Sequence, residues 1–321
     1  MRTAAVVPVH DGRGWLPGCL AALALQGFDE LIVVDDGSSD GTAAWLAAAH
    51  PAVRVVTTGP GGPHGFARSA QAGVDAAPAA DAIALVNADV TLAPGWRTAM
   101  LAGLGTGPAV GAVAGKMVRR EDPGVIDDAG DLLRRDGVCE QRGRLHPDDG
   151  RWDAPGEVWG ASAGAVLYRR TAFREAGGFC LAYRNYLEDV DLALALRSAG
   201  WTCAYAPAAI AAHAGGGSAA GLPAPVGYWI ARNTLLLVAR WFPVRWWPAV
   251  AYRQASWLVA ARRDRVLGPH LRGLRDGVVA GARAWHGRGA RRRAARVPIT
   301  LAVPARPWRG PAAGGHPRGV E

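Results

Sequence analysis

Lysine is almost missing from this 321-residue chain, where Lys116 is the one lysine among 36 basic side chains. A nucleotide-binding loop that needs a lysine after its glycines therefore has no place in it. The glycine fingerprint of dinucleotide binding is also absent after the first apolar run, which argues against hydride transfer. The four cysteines, Cys19, Cys139, Cys180 and Cys203, are far apart and follow no paired spacing. Neither a disulfide framework nor a zinc site is expected, and a reducing cytoplasm fits best. No breaker-free run of about 20 apolar residues exists, so no transmembrane helix is expected. The nearest approach, Thr202 to Ala231, has no charged residue but is cut by Pro207, Pro223, Pro225 and Gly215 to Gly217. The opening residues, Met1 to His10, have too short an apolar run for a secretion signal and read as a first strand.

What is present is globular: 50% of residues are hydrophobic and 20% charged, in a chain long enough for one large domain and an appendage. The net charge of +9 is unevenly placed. From Arg240 onward there are 17 arginines against Asp264, Asp276 and Glu321, a balance of +14 that leaves residues 1–239 at −5. The arginine-rich end also holds Trp241, Trp246, Trp247, Trp257 and Trp285, a combination suited to an anionic lipid surface. No aromatic-interleaved recognition motif accompanies it, and nucleic acid is not expected as a partner.

Apolar runs alternate with helical patterns along the first half. Strands are expected at 3–9, 31–34, 53–57 and 83–86, and helices at 16–26, 43–49 and 66–76, followed by a helix from Pro94 to Leu104 and a strand over 110–118. This alternation predicts an α/β fold with a mostly parallel sheet flanked by helices on both faces. Residues 121–154 read as a long loop with short strands, of the kind that carries binding groups. Residues 203–205 and 208–212 suggest edge strands. Beyond Gly227 the pattern is helical, and disorder is expected past about Pro298.

Two acidic groups, Asp35 with Asp36 and Asn87 with Asp89, stand where ligands of such sheets bind, beyond the carboxyl ends of strands, and a third opens a helix. Asp35 and Asp36 lead a Gly/Ser turn; they can hydrogen-bond a base or ribose, or simply cap a turn. Asn87 and Asp89, two apart at a strand end, can face a divalent cation, or can form an Asx turn. Glu188, Asp189 and Asp191 open a helix, where acids complement the helix dipole without any chemistry. His213, in a glycine-rich loop, is a further metal or phosphate ligand or an ordinary loop residue.

In their order along the chain, these motifs resemble the family-2 inverting glycosyltransferases with the GT-A fold, in the rhamnosyltransferase-like branch. The resemblance spans about Ala4 to Asn233. It rests on Val6-Val-Pro-Val-His10, Ile32 to Thr42, Gly65-Phe-Ala67, Leu85 to Val90, Gly177-Gly-Phe179, Leu187 to Leu192, Gly200-Trp201 and His213 to Ser218. It implies a nucleotide site at Pro8, His10, Asp35, Asp36, Gly65, Arg68 and Asn87, and a Mg2+ or Mn2+ site at Asp89 and His213. Asp189 is implied as the base that deprotonates the acceptor hydroxyl, with Glu188 and Asp191 beside it. Three departures stand out: Arg68-Ser69-Ala70-Gln71 replaces an asparagine-rich segment, Ala88 replaces a common proline, and Ser162-Ala163-Gly164 only loosely matches the family's Ser-Gly-Ala, so no acceptor residue is carried from it.

The expected division is a GT-A glycosyltransferase domain at 1–226, a helical basic extension at 227–297 and a disordered tail at 298–321. The expected activity is metal-dependent, inverting transfer from a nucleoside-diphosphate sugar to a cell-envelope glycan or lipid-linked acceptor. Its expected location is cytoplasmic, peripheral at the inner face of the membrane, with the basic C-terminal region making the membrane contact. The alternative is a non-catalytic nucleotide-sugar-binding scaffold in a glycan-assembly complex.

Overall fold

The computed structural model describes residues 1–215 and 225–286. The expected tail at 298–321, and Gly216 to Ser218 of the His213 motif, lie outside these residues. The chain runs through β1 (Thr3–Val9), α1 (Leu16–Ala24), β2 (Glu30–Asp35), α2 (Thr42–Ala49), β3 (Arg54–Thr57), α3 (Phe66–Ala76), β4 (Ala82–Val86), β5 (Val90–Leu92), α4 (Trp96–Leu104) and β6 (Val110–Arg119). The later elements of the sheet unit are β7 (Ile126–Asp128), β8 (Asp131–Leu133), β9 (Cys139–Gln141), β10 (Gly156–Val158), β11 (Ala165–Arg169), α5 (Arg170–Glu175), α6 (Glu188–Ser198) and β12 (Thr202–His213).

All seven residues of β1 are buried, as expected of a central strand covered on both faces. Its alternate side chains enter different cores: Ala4 and Val6 join Ile32, Leu85 and Tyr168 on one face, whereas Ala5, Val7 and Val9 join Leu16, Trp96 and Met100 on the other. Each fully buried Val, Leu or Ile contributes about 1.5–3 kcal/mol. Helix α3 is pressed onto β1 at Gly73, where a Cβ would stand 2.2 Å from Val6 Cγ1.

The sheet order is β10-β12-β6-β11-β4-β1-β2-β3. The β3-β2-β1-β4 half is parallel throughout, in line with the alternating sequence pattern. The other half is mixed, because β11 returns after the 121–154 excursion and inserts antiparallel between β4 and β6. Within the excursion, β7 pairs with β6 and β8 with β9, so the expected short strands are there. The two edge strands expected at 203–205 and 208–212 are instead one strand, β12, lying inside the sheet between β10 and β6. Its register with β6 shifts between Ala206 and Ile210, a bulge that accommodates Pro207, which cannot donate to a ladder.

A second unit comprises residues 133–138, the tip of the β8-β9 hairpin, with the C-terminal helices. These helices are α7 (Val226–Trp241), α8 (Trp247–Arg263) and α9 (Leu267–His286). Helix α9 falls within the helical extension expected at 227–297, although Gly268, Gly273, Gly277 and Gly281 lower its intrinsic helix propensity. Packing reverses that preference. A Cβ on Gly273 would stand 2.4 Å from Tyr228 O, and one on Gly277 would stand 2.7 Å from Arg232 O, so the glycines let α9 lie against the backbone of α7. Among the described residues no helix is long and apolar enough to cross a membrane.

Candidate active site

The carboxyl ends of β4, β1 and β2 are neighbours, and they carry Asn87 to Asp89, His10, and Asp35 with Asp36. Pro8 sits within β1 opposite Val34. Asp35 is buried and accepts the Ser38 N–H at 3.0 Å, the usual Asx-turn bond. Asp36 does more structural work than the sequence implies. One of its carboxylate oxygens accepts the Thr58 hydroxyl at 2.6 Å and the His64 N–H at 2.9 Å, and the other accepts the Gly65 N–H at 2.8 Å. Asp36 thereby ties the loop between β3 and α3 to the end of β2, while its own carbonyl lies 3.1 Å from His10 Nδ1. Gly65 has φ +103°, and a Cβ there would stand 2.8 Å from Arg184 O. Arg68 lies on the exposed side of α3.

Asn87-Ala88-Asp89 forms a tight turn. The Asn87 N–H donates to Gly164 O at 2.9 Å, and Asp89 O accepts the Ala214 N–H at 3.1 Å. His213 ends β12 with Val90 of β5 as its partner on one side and Arg119 of β6 on the other. This register brings Asp89 and β7 to the same histidine: His213 Nε2 lies 3.5 Å from Asp89 Oδ2, and Nδ1 lies 2.7 Å from Asp127 Oδ2. Burial opposes charge on the imidazole, but the bonds to Asp127 and Asp89 outweigh it and raise its pKa to about 9.

These residues fit a divalent cation as a partial shell. Asp89 is 1% exposed, and the Asn87 Oδ1 atom is buried with no hydrogen-bond partner among the described residues. The described residues contain no ready-made cage of three or more His, Cys, Asp or Glu groups. A cation that keeps its remaining positions for phosphate oxygens suits such a set.

The base candidates stand at the start of α6. The backbone arrives there through Arg184, Tyr186 and Leu187 at φ 62°, 67° and 65°, a left-handed region that bulky residues seldom occupy. Strain of this sort costs about 1–3 kcal/mol per residue and persists where the surroundings impose it. Here the same segment caps α3: the Phe66 N–H donates to Asn185 Oδ1 at 3.0 Å and the Ala67 N–H to Arg184 O at 2.9 Å. Asp189 accepts the Ala163 N–H at 3.1 Å on one oxygen and the Val190 N–H at 2.8 Å on the other. Burial raises its pKa, and these amide bonds moderate the rise.

The three acids differ in environment. Glu188 is buried, its Oε2 has no hydrogen-bond partner among the described residues, and burial plus the Asp189 charge push its pKa well above the carboxylate range. Asp191 is buried and accepts the Tyr183 hydroxyl at 3.0 Å. Burial and then the charges of Glu188 and Asp89 raise the Tyr186 phenol to about 12.

Three features escape a reading of the sequence. The segment Ser162-Ala163-Gly164 serves both halves of the site, since Gly164 O holds Asn87 and Ala163 N holds Asp189. Asp127 reaches His213 from β7. Asp128 and Asp131 lie buried near Asp189; burial raises both pKa values, that of Asp128 to about 7, with neighbouring acids adding to the effect. The one local signal was a pair of acids, Asp127 and Asp128, between Ile126 and the Ala129-Gly130 turn.

The arrangement can hold an anionic leaving group on one side and accept a proton on the other. Known proteins resemble the chain in sequence and in fold. An N-acetylglucosaminyl-diphospho-decaprenol L-rhamnosyltransferase of Mycobacterium tuberculosis is 33% identical over 211 residues, covering 60% of this chain and 68% of the relative. The structure of GalNAc-T7 with UDP, GalNAc and Mn2+ superposes with a TM-score of 0.58 at 14% identity, over 75% of this chain and 49% of that one. A mannosyltransferase from Pyrobaculum calidifontis, in complex with GDP-Man and Mn2+, superposes with a TM-score of 0.52 at 17% identity, over 93% and 82% of the two chains. The two structures share the GT-A fold with this chain. Residues 4–177 match the profile of Glycosyl transferase family 2, and the chain belongs to that family.

Proposed function

We propose that the chain transfers a hexosyl group, rhamnose being the favoured sugar, from a nucleoside-diphosphate donor to a diphospholipid-linked glycan, with inversion at the anomeric carbon. The observation that carries this reading is the double duty of residues 162–164, which bind the Asn87 turn through Gly164 O and the Asp189 carboxylate through Ala163 N. Leaving-group ligands and base are thereby held to one short piece of backbone. The rhamnosyltransferase relative supports the choice of sugar and acceptor.

In the proposed reaction Asp189 takes the proton of the acceptor hydroxyl as its oxygen bonds to the anomeric carbon. The bond from that carbon to the donor phosphate breaks, and the electron pair leaves with the nucleoside diphosphate. Asp89 and His213, with Asn87 beside them, would hold Mg2+ or Mn2+, which would supply positive charge to the departing diphosphate. Asp127 orients His213. Pro8, His10, Asp35 and Arg68 line the nucleoside and phosphate path, while Asp36 and Gly65 shape its floor. Glu188, its carboxyl held well above the ordinary range by burial and the Asp189 charge, keeps its Oε2 for a sugar hydroxyl, and Asp191 anchors the helix start through Tyr183. The enzyme works at the cytoplasmic face of the membrane, which it meets peripherally through its basic C-terminal region.

The test is a panel of UDP-, GDP- and dTDP-sugars with Mn2+ or Mg2+ and a polyprenyl-diphosphate acceptor, with the product anomer assigned by NMR. Product of the opposite anomeric configuration to the donor is expected. Retained configuration, or no turnover with any donor, would overturn the proposal.

A further inference from the structure

Helix α8 is amphipathic in the wrong sense for water. Arg253 is the one charged residue between positions 246 and 261, and it points inward. There it donates from Nε and Nη2 to Asp136 Oδ2 at 2.9 and 2.6 Å, beside the buried Val250, Gln254 and Ala261. The outward stripe, Pro248, Tyr252, Ala255 and Val259, recurs at helical spacing and carries no charge over three turns. Tyr252 is 76% exposed and Val259 73%. A helix facing water shows the opposite distribution.

Charge lies at the two ends of this stripe. Exposed Arg245 precedes it, and exposed Arg262, Arg263 and Arg265 follow it. Asp264, which stands among these arginines, is engaged by Arg263 Nε at 3.0 Å. Aromatic rings cluster at the first end, where Arg245 lies 5.4 Å from the Trp246 ring and Trp247 meets Trp285 edge-on at 5.3 Å. Apolar residues between cationic ends, with Trp and Tyr at the boundary, match the pattern of helices that lie in the headgroup layer of an anionic bilayer. A second copy of the chain fits worse, because each arrangement of two such stripes sets arginine-bearing ends against one another.

We propose that the outward face of α8, centred on Tyr252 and Val259, is a membrane-docking surface for anionic lipid. This deepens the proposed action on a lipid-linked acceptor and rests on that reading for its biological role, but its physical test needs no sugar. Full-length protein is mixed with vesicles of phosphatidylcholine alone or with phosphatidylglycerol, and binding is measured by flotation. The Tyr252→Ser/Val259→Ser variant keeps every charge and alters exposed positions only; circular dichroism and the melting curve check its fold.

Wild type is expected to bind the anionic vesicles and not the neutral ones, and the variant to lose affinity by about tenfold or more. Equal vesicle binding by variant and wild type would overturn the proposal, as would failure of the wild type to bind anionic vesicles. A wild-type dimer that the variant converts to monomer would assign the face to a second copy and overturn it too. Donor turnover with a short water-soluble acceptor is expected to be unchanged in the variant, so loss of docking and failure of the transferase reading give different results.

Discussion

His213 Nδ1 and Asp127 Oδ2 stand 2.7 Å apart although 86 positions separate them in the chain. The His213 bond holds Asp127 ionised against the cost of its burial, so the imidazole donates through Nδ1 and turns Nε2 toward Asp89. With its pKa at about 9 the ring carries both protons until a cation arrives, so the Asp127 bond presets the ring's orientation, and a ligand at Nε2 must displace the proton there.

Replacing Asp127 by Asn is expected to weaken Mn2+ binding by about 10–100-fold, the usual effect of losing such a partner. Isothermal titration of the donor-free protein, or of the protein with UDP, reads this directly. Unchanged Mn2+ affinity in both states would remove Asp127 from the site.

Asp189→Asn is expected to lower kcat by about 10²–10⁴-fold while leaving the donor Kd within about twofold, since the base acts only during proton transfer. The proposed base must be ionised to act, and burial raises the pKa of Asp189. The rate should therefore climb with pH through a limb displaced above the ordinary carboxylate range and level off beyond it. A pH-rate profile flat from acid to neutral pH would contradict this assignment.

Asp128 titrates near pH 7 in the folded chain rather than near its ordinary 3.8. Below 3.8 it is protonated folded or unfolded and burial costs nothing; between the two values only the unfolded chain releases the proton, so stability falls as pH rises. Above about 7 the loss is complete. Asp128→Asn is therefore expected to be more stable than wild type at pH 8, by about 2–4 kcal/mol, with the gap closing toward pH 4. Thermal or urea unfolding at the two pH values measures the gap.

Gly65→Ala is expected to cost about 2–4 kcal/mol in stability and to impair donor binding as well. The methyl would meet Arg184 O at 2.8 Å, at a φ of +103° that alanine resists. Because Asp36 holds Gly65 and Arg184 leads to α6, a displacement here reaches both the loop proposed to bind nucleotide and the proposed base. A melting temperature equal to wild type would show that the loop yields without cost.

The sequence by itself determined the features that depend on near neighbours. Apolar runs alternating with helical periods specify β1 to β4 and their helices, and acids after strand ends mark Asp35, Asp36, Asn87 and Asp89. Glu188 to Asp191 are legible as a helix start because capping and dipole effects act within one turn. Tertiary structure decided what depends on register between distant strands. His213 meets Asp89 and Asp127 because β12 lies between β5 and β6, with β7 beyond β6, an order that no local spacing encodes. The same holds for the amide of Ala163 on Asp189, contributed from 26 residues away. In the second unit the glycines of α9 oppose helix formation locally and favour it only against α7, and the inward turn of Arg253 exists because Asp136 awaits it. Local propensity is a sum over adjacent residues; a site is a meeting of surfaces, and burial decides which charges that meeting leaves apart or joins.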